Sequence, residues 1–585
     1  MKNLSCTKKK HKRILIALLL VLMMGVLVAC GGNNDTDTPD ATPAPQDTTN
    51  QDQADNNVDT NDNDADADVA DDAHAYMLPF DTVGHLTIMT WGSSPVFLED
   101  IGRVEQTEED LHDTHMGNQF MAVAQAFNEI FPYIQIDYNG QGPEWLDGMP
   151  FYQHRDNFTM MSGRPVDIFW TSDLPAEISR GAVADLTVFS DDPRFQMLNP
   201  TLMDMMNIEG RQFGLPWAAA PAGVWVNRAL AEMNNIDVPP ANWTWNQYLD
   251  FVTNYSADEW YGTWWVGIDS LVPTLTPDFH YQLRNRGPND PFVNINSPAI
   301  RGILSDITRK ATTSGQGLNQ QEQVSQEFMD AGGWSWQNGM ALTGLRNAWL
   351  YGSAWTTPGG VATSENPGGF DVFPNPSTPY MPNHVGLEMD IIAVRNFALD
   401  DGDPYTLTDE QFLQMRIAWE FLIFAIADAR SLEARINQEF IAADGNWRST
   451  KDHSVPLITG PEFDRQMARI FETPGWVMMA DRNMYPGFHM ILDLFRDGYI
   501  VGTQFRDIPG THEFEGEIRN IFWEWNAMQG GYSLGGIRFT DPGWLDAVLA
   551  HLPEFNDVMN QRWAERHELM SEHIARFYPI PTQRP

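Results

Sequence analysis

Residues 210–248 read GRQFGLPWAAAPAGVWVNRALAEMNNIDVPPANWTWNQY, and the chain changes character across them. Gly214-Leu215-Pro216-Trp217 has the composition of a turn, and Gly223-Val224-Trp225-Val226-Asn227 has the β-branched and aromatic content of a strand. A helix and a Pro239-Pro240 turn follow. The stretch predicts a crossing between two lobes, with the functional cleft beside it. Length supports this, because 585 residues far exceed the roughly 250–300 at which a single core stops growing.

Upstream of the crossing, His85–Trp91 predicts a first strand, broken by Gly92-Ser93-Ser94-Pro95. Residues 119–131 predict a helix, with Phe120, Val123, Ala124 and Phe127 at helical spacing and Pro132 as its stop. Ile134–Tyr138 alternates as a second strand, completing the strand-helix-strand unit from which parallel sheets are built. Val166–Trp170 predicts a third strand that exits through Thr171-Ser172-Asp173. In open α/β sheets ligands sit beyond the carboxyl ends of the strands, which favours Trp91, Trp170 and Asp173. Downstream, helices are expected over 243–255, 300–313, 322–329, 408–428, 513–528 and 545–567, and strands over 263–268 and 389–394.

The amino terminus belongs to neither lobe. Lys8–Lys10, Lys12 and Arg13 precede Ile14–Ala29, a run that is apolar apart from Gly25. It is shorter than the roughly 20 residues needed to span a bilayer, so it reads as the h-region of a signal peptide over 1–29. It ends in Leu27-Val28-Ala29-Cys30, which resembles the bacterial lipobox, and the resemblance implies acylation of Cys30. Cys6 would leave with the signal peptide, so the mature chain offers no disulfide framework and no cysteine metal cluster. From Gly31 to Ala75 there are thirteen aspartates and neither Lys nor Arg. Such a segment, residues 30–75 with the acylated Cys, predicts a disordered acidic tether. The tether's thirteen charges are under a third of the net −43, so the body itself is strongly acidic. Phosphate backbones and anionic headgroups would be repelled, which excludes nucleic acid and leaves the lipid anchor as the membrane contact.

The chain carries 21 tryptophans. A sugar presents apolar C–H faces ringed by hydroxyls, so a site for it needs flat aromatic platforms beside Asp, Asn, Glu or Arg. Both are abundant here, although most tryptophans in so aromatic a chain pack in cores. Trp225, inside a strand, and Trp243 and Trp245, opening a helix, read as packing residues, while Trp217 at the turn reads as a ligand platform. An extracellular glycosidase would need two facing carboxylates; Glu513, Glu515, Glu517 and Glu524 are available, with no spacing that pairs them. His384, His489 and His551 lack metal-ligand spacing and are expected at the surface or in capping roles.

The ordered phrases HLTIMTW, FNEIFPYIQIDY, GRPVDIFWTSD, RGAVADLT, EGRQFGLPW, VWVNRAL, PPANWTWNQY, GMALTGLRNAWL and DVFPNPS resemble those of the extracellular solute-binding proteins of ABC importers, in the carbohydrate-binding family that includes maltodextrin-binding protein. The resemblance implies a two-lobed α/β fold of the periplasmic-binding-protein type II, each lobe a central sheet flanked by helices, with a hinge between. It implies a first lobe over 76–216 with a return over 387–455, and a second over 217–386 with 456–585 mainly added to it. Trp170 and Asp173 match positions where maltodextrin-binding members stack on and hydrogen-bond sugar. Trp349 ends a segment whose family counterpart also stacks on sugar, although Leu342, Thr343, Asn347 and Ala348 depart from the family pattern. Trp91, Ser93, Trp217, Trp355 and Asp390 are further candidates from strand exits and crossings, and Trp447, Trp476 and Tyr485 fall where the family has variable cleft residues. The implied protein is a lipid-anchored monomer on the outer face of a bacterial cytoplasmic membrane. It is not an enzyme and needs no cofactor or metal; it captures an oligosaccharide and delivers it to an ABC transporter permease. The alternatives are a lipid-anchored glycoside hydrolase and a carbohydrate-binding or scaffold lipoprotein.

Overall fold

In the computed structural model the described residues are 78–91, 120–141, 155–254 and 291–313 with short gaps, 343–346, 369–401, 407–449 with short gaps, 455–502 with one short gap, and 543–577. All lie in one compact unit, Ala73–Pro585. Among the described residues its backbone is an eight-stranded sheet.

The opening unit forms as the sequence predicts. Strand β1 (Gly84–Trp91), helix α1 (120–130) and strand β2 (Ile134–Gln141) give parallel pairing of β1 with β2. Strand β3 (Ile168–Thr171) joins β1 in parallel and is buried throughout. Burial on both faces explains why β3 reads as a near-continuous apolar run. Helix α2 (Leu174–Ser179) follows, ending at Gly181 in the left-handed region (φ 71°). Next come α3 (Pro200–Asp204) and the small hairpin of β4 (Asn207–Ile208) and β5 (Arg211–Gln212).

The predicted crossing is one strand of thirteen residues, β6 (Leu215–Asn227). Leu215 to Ala222 pair with β9 (Val385–Val394), and Gly223 to Asn227 pair instead with β7 (Thr343–Arg346) and β8 (Phe370–Phe373). The turn expected at Gly214–Trp217 is therefore mostly strand. Pro216 sits where the ladder shifts register, between Pro216 and Ala218, and an irregularity of this kind tolerates a residue that lacks an N–H. Gly223 stands at the fork, where an added Cβ would lie 2.4 Å from the Phe373 carbonyl oxygen.

Strand β9 is the second crossing. It runs antiparallel to both β6 and β3, and its first residues, Val385 to Leu387, pair in parallel with β12 (Ile500–Gly502). The β6/β9 ladder thus carries β3, β1 and β2 toward one end and β7, β8 and β12 toward the other.

Helices cover both ends. Beyond β6 lie α4 (Arg228–Met233), α5 (Trp245–Asn254) and α6 (Pro298–Thr313). Trp225, Trp243 and Trp245 are buried, as expected for packing residues, and the Trp243 indole N–H donates to the Pro374 carbonyl at 2.9 Å. Helix α7 (Asp409–Ala427) starts at a capping box, Thr408 with Gln411, and is buried along most of its length, so its apolar residues do not form a single stripe. Helices α8 (Ala429–Ile436), α9 (Pro461–Phe471) and α10 (Pro486–Arg496) follow, with a short hairpin of β10 (Glu439–Ile441) and β11 (Trp447–Ser449) after α8. The last helix, α11 (Trp544–Phe577), has 34 residues and extends ten residues past the expected end at His567. The elements expected over 263–268, 322–329 and 513–528 lie outside the described residues. Among the described residues no helix is long and apolar enough to cross a membrane.

Candidate functional site

The carboxyl end of β3 lies beside one end of the β6/β9 ladder, where Trp170 stands opposite Ile392 and Thr171 opposite Ile391. The Trp170 indole N–H donates to Asp390 Oδ1 at 3.0 Å, tying β3 to the crossing strand. Asp390 in turn pairs with Ala218 on β6. At the β6 irregularity Trp217 is half-buried, with its ring centre 5.9 Å from that of Phe120 at the start of α1. Phe120 stacks on Tyr138 at 4.3 Å, and the Tyr138 hydroxyl bonds to Thr90 Oγ1 at 2.7 Å. Burial pushes the Tyr138 phenol up to about 12, with Thr90 opposing, so it remains neutral and able both to donate and to accept. Asp173 caps α2, its Oδ1 accepting from the Ala176 N–H at 3.0 Å while its own N–H donates to Thr171 Oγ1 at 3.1 Å. These residues combine aromatic rings with neutral and acidic hydrogen-bonding groups where two strand ends meet a crossing, a composition suited to a polyhydroxylated ligand.

Solved structures share this architecture. An ABC substrate-binding protein from Listeria monocytogenes in complex with cycloalternan is 15% identical, with a TM-score of 0.50 over 82% of this chain and 99% of that one. A cyclic alpha-maltosyl-1,6-maltose binding protein from Arthrobacter globiformis is 14% identical, with a TM-score of 0.51 over 82% and 100%. A sugar transporter protein from Rhizobium etli, in an open conformation, is 14% identical, with a TM-score of 0.51 over 81% and 99%. The chain has the fold of the two-lobed ABC solute-binding proteins. No family model matches the sequence and no curated protein matches it, so the likeness is one of architecture.

The sequence candidates divide into three groups. Trp170, Asp390, Asp173 and Trp217 come together as described. Trp170 is only 5% exposed and its N–H is already engaged, so it forms a wall that orients Asp390, whereas Trp217 keeps more accessible surface. Trp91 is the last residue of β1, in register with Gln141, and Trp447 opens β11. Ser93, Trp349, Trp355, Trp476 and the glutamates at 513, 515, 517 and 524 lie outside the described residues. Tyr485 is a correction: it is wholly buried ahead of α10 and packs as core. So are His384 and His489, expected at the surface or as caps but buried, with Nδ1 of His384 near the Pro382 carbonyl and Nε2 of His489 near that of Met479. Burial lowers the His489 pKa and favours the neutral ring, which suits a packed position. His551 is exposed. Sequence reasoning missed Tyr138 and took Phe120 as core alone; the placement of Tyr138 toward the exit of β2 was the available signal. Among the described residues no cluster of three or more His, Cys, Asp or Glu stands close enough to hold a metal.

A cavity of about 510 Å³ opens at the amino ends of β1 and β3, beside His85, Arg164, Asp167 and Arg395. Its charges are satisfied within the protein: Asp137 takes His85 at 2.7 Å and Arg164 at 2.9 Å, and Asp167 takes Arg395 Nε at 2.9 Å. Burial raises the Asp167 pKa, only partly opposed by the Thr87 N–H and by Arg395. The Thr87 hydroxyl is buried and has no partner.

Proposed function

We propose that this chain is a lipid-anchored extracellular receptor that captures a sugar or oligosaccharide in the cleft between its lobes and hands it to an ABC permease. The observation that carries the proposal is the shared fold, in which a substrate-binding protein in complex with cycloalternan and a cyclic alpha-maltosyl-1,6-maltose binding protein align over about four-fifths of this chain. The aromatic and acidic residues at the strand ends support the same ligand class. Each lobe contributes part of the site, so ligand contacts are complete only when the lobes approach. Binding energy then favours the closed form, which is what a permease would recognise. Acylation at Cys30 and the aspartate-rich tether would keep the receptor near that permease while leaving the lobes free to move.

The test is calorimetric titration of the chain from Gly31 onward with neutral linear and cyclic oligosaccharides. Heat of binding is expected for at least one of them, without release of smaller sugars on chromatography. Trp217→Ala should weaken that binding about tenfold, equivalent to about 1.4 kcal/mol. Binding of peptides or polyamines in place of every sugar would replace the ligand class, and sugar cleavage would replace the receptor reading with a hydrolase.

A further inference from the structure

Helix α11 contacts both lobes. Its carboxyl-terminal half packs on α2, with Met570 and Ile574 entering the main core. There the Ser571 hydroxyl donates to Glu209 on the β4–β5 turn, His567 Nε2 stands 3.7 Å from the same carboxylate, and a Cβ on Gly181 would come within 2.8 Å of His573. Its amino-terminal half packs on α6. That helix packs on α5, and α5 is bound in turn to the chain just beyond β8, where the Trp245 N–H donates to the Ser377 carbonyl at 2.8 Å.

The attachment to α6 follows from a sequence irregularity. Pro553 lies inside α11 and has no N–H to give to the carbonyl four residues earlier. That carbonyl belongs to Leu549, and Arg301 of α6 donates to it from Nη2 at 3.1 Å. Arg301 is itself positioned, its Nε donating to Asn296 Oδ1 at 2.8 Å. The proline therefore does two things: it frees an acceptor for the neighbouring lobe, and it leaves the helix without one of its own bonds at that place. From just before it, Leu552, Met559, Trp563, Met570 and Ile574 are all buried, at alternating intervals of seven and four residues, so one face is held along its length. The two polar anchors, Leu549 and Ser571, are 22 positions apart, about 33 Å of helix.

We infer that α11 is a strap across the back of the two lobes that limits how far they move about the β6/β9 ladder, with Arg301–Leu549 and Ser571–Glu209 as its two fastenings. The inference deepens the receptor reading, since it concerns the opening of the same cleft, but it does not depend on which ligand the cleft takes. Movement of α6 relative to α2 must bend α11 or break a fastening. Pro553 marks the place where bending costs least.

The experiment measures inter-lobe distances by pulsed electron resonance without any ligand. The full chain is used with Cys6→Ser and Cys30→Ser, which removes both native cysteines, and with Glu129→Cys on α1 and Asn246→Cys on α5 spin-labelled; both positions are exposed. Arg301→Ala unfastens one end. Glu209→Asn unfastens the other while keeping a residue that tolerates the positive φ of 52° found there. Each variant is expected to broaden the distance distribution relative to its parent, with far-ultraviolet circular dichroism unchanged. Distributions that superimpose on the parent's for both variants would overturn the strap. Because no sugar is present, a failure of the strap and a failure of sugar binding are read separately.

Discussion

Arg194 is buried between two carboxylates that come from different parts of the chain. It bonds to neighbouring Asp192 and to Glu420 of α7, and Asp192 also accepts the Trp419 indole N–H at 2.9 Å. Burial works against the guanidinium's charge, but the two carboxylates outweigh it and raise its pKa. Removing the arginine strands both carboxylates in the core, so Arg194→Ala should cost about 3–5 kcal/mol in urea unfolding. Asp371 presents the opposite balance. Burial in β8, only partly offset by Arg228 and by the N–H groups of Gly487, Val372 and Phe488, pushes its carboxyl up to about 6. A folded-state value above the ordinary one means that the stability contribution is complete below about pH 4 and is lost as the pH rises through about 6. Asp371→Asn should remove this component: from about pH 4 to about pH 7 the wild type should lose up to ~3 kcal/mol more than the variant in urea titrations. Neither network was legible in the sequence, because the spacing between Arg194 and Glu420 carries no pattern until the fold brings α7 against its loop.

Among the elements, β6 shows how far sequence reading reached. The β-branched and aromatic content of residues 223–227 identified a strand, and the alternation and helix spacing before it identified β1, α1 and β2 with their boundaries nearly correct. The extension of the strand back to Leu215 was hidden by Pro216 and Pro221, which local rules assign to turns. Pairing with β9 overrides them, through a ladder that shifts register at Pro216. Gly223 reads in sequence only as the start of a strand and is also a point of close backbone approach. Gly223→Ala must push back the Phe373 carbonyl, so thermal and urea unfolding should report a loss of about 1–3 kcal/mol. An unchanged midpoint would show that the fork can relax around a methyl group.

For the whole molecule, the two-lobed plan was readable because strand-helix-strand units and a crossing leave periodic signals. The candidate site was legible only in part. Trp170 and Asp173 are candidates from a strand exit and family resemblance and Asp390 from its place near a crossing, but the hydrogen bond joining Trp170 to Asp390 depends on a strand pairing between residues more than 200 positions apart. The reach of α11 was equally hidden: its helical pattern was visible, while its contacts depend on α2 and α6 being brought to either side of it. The crossings have a consequence for how the chain assembles. Leu215 must wait for Ile392, and β9 must wait for Ile500 before its outer edge is paired. A nascent chain can therefore settle β1, α1, β2 and β3 locally, but it closes the central ladder only across loops of well over a hundred residues, a slow step by its loop entropy. Until residue 502 has been supplied, the edge of β9 that receives β12 stays open.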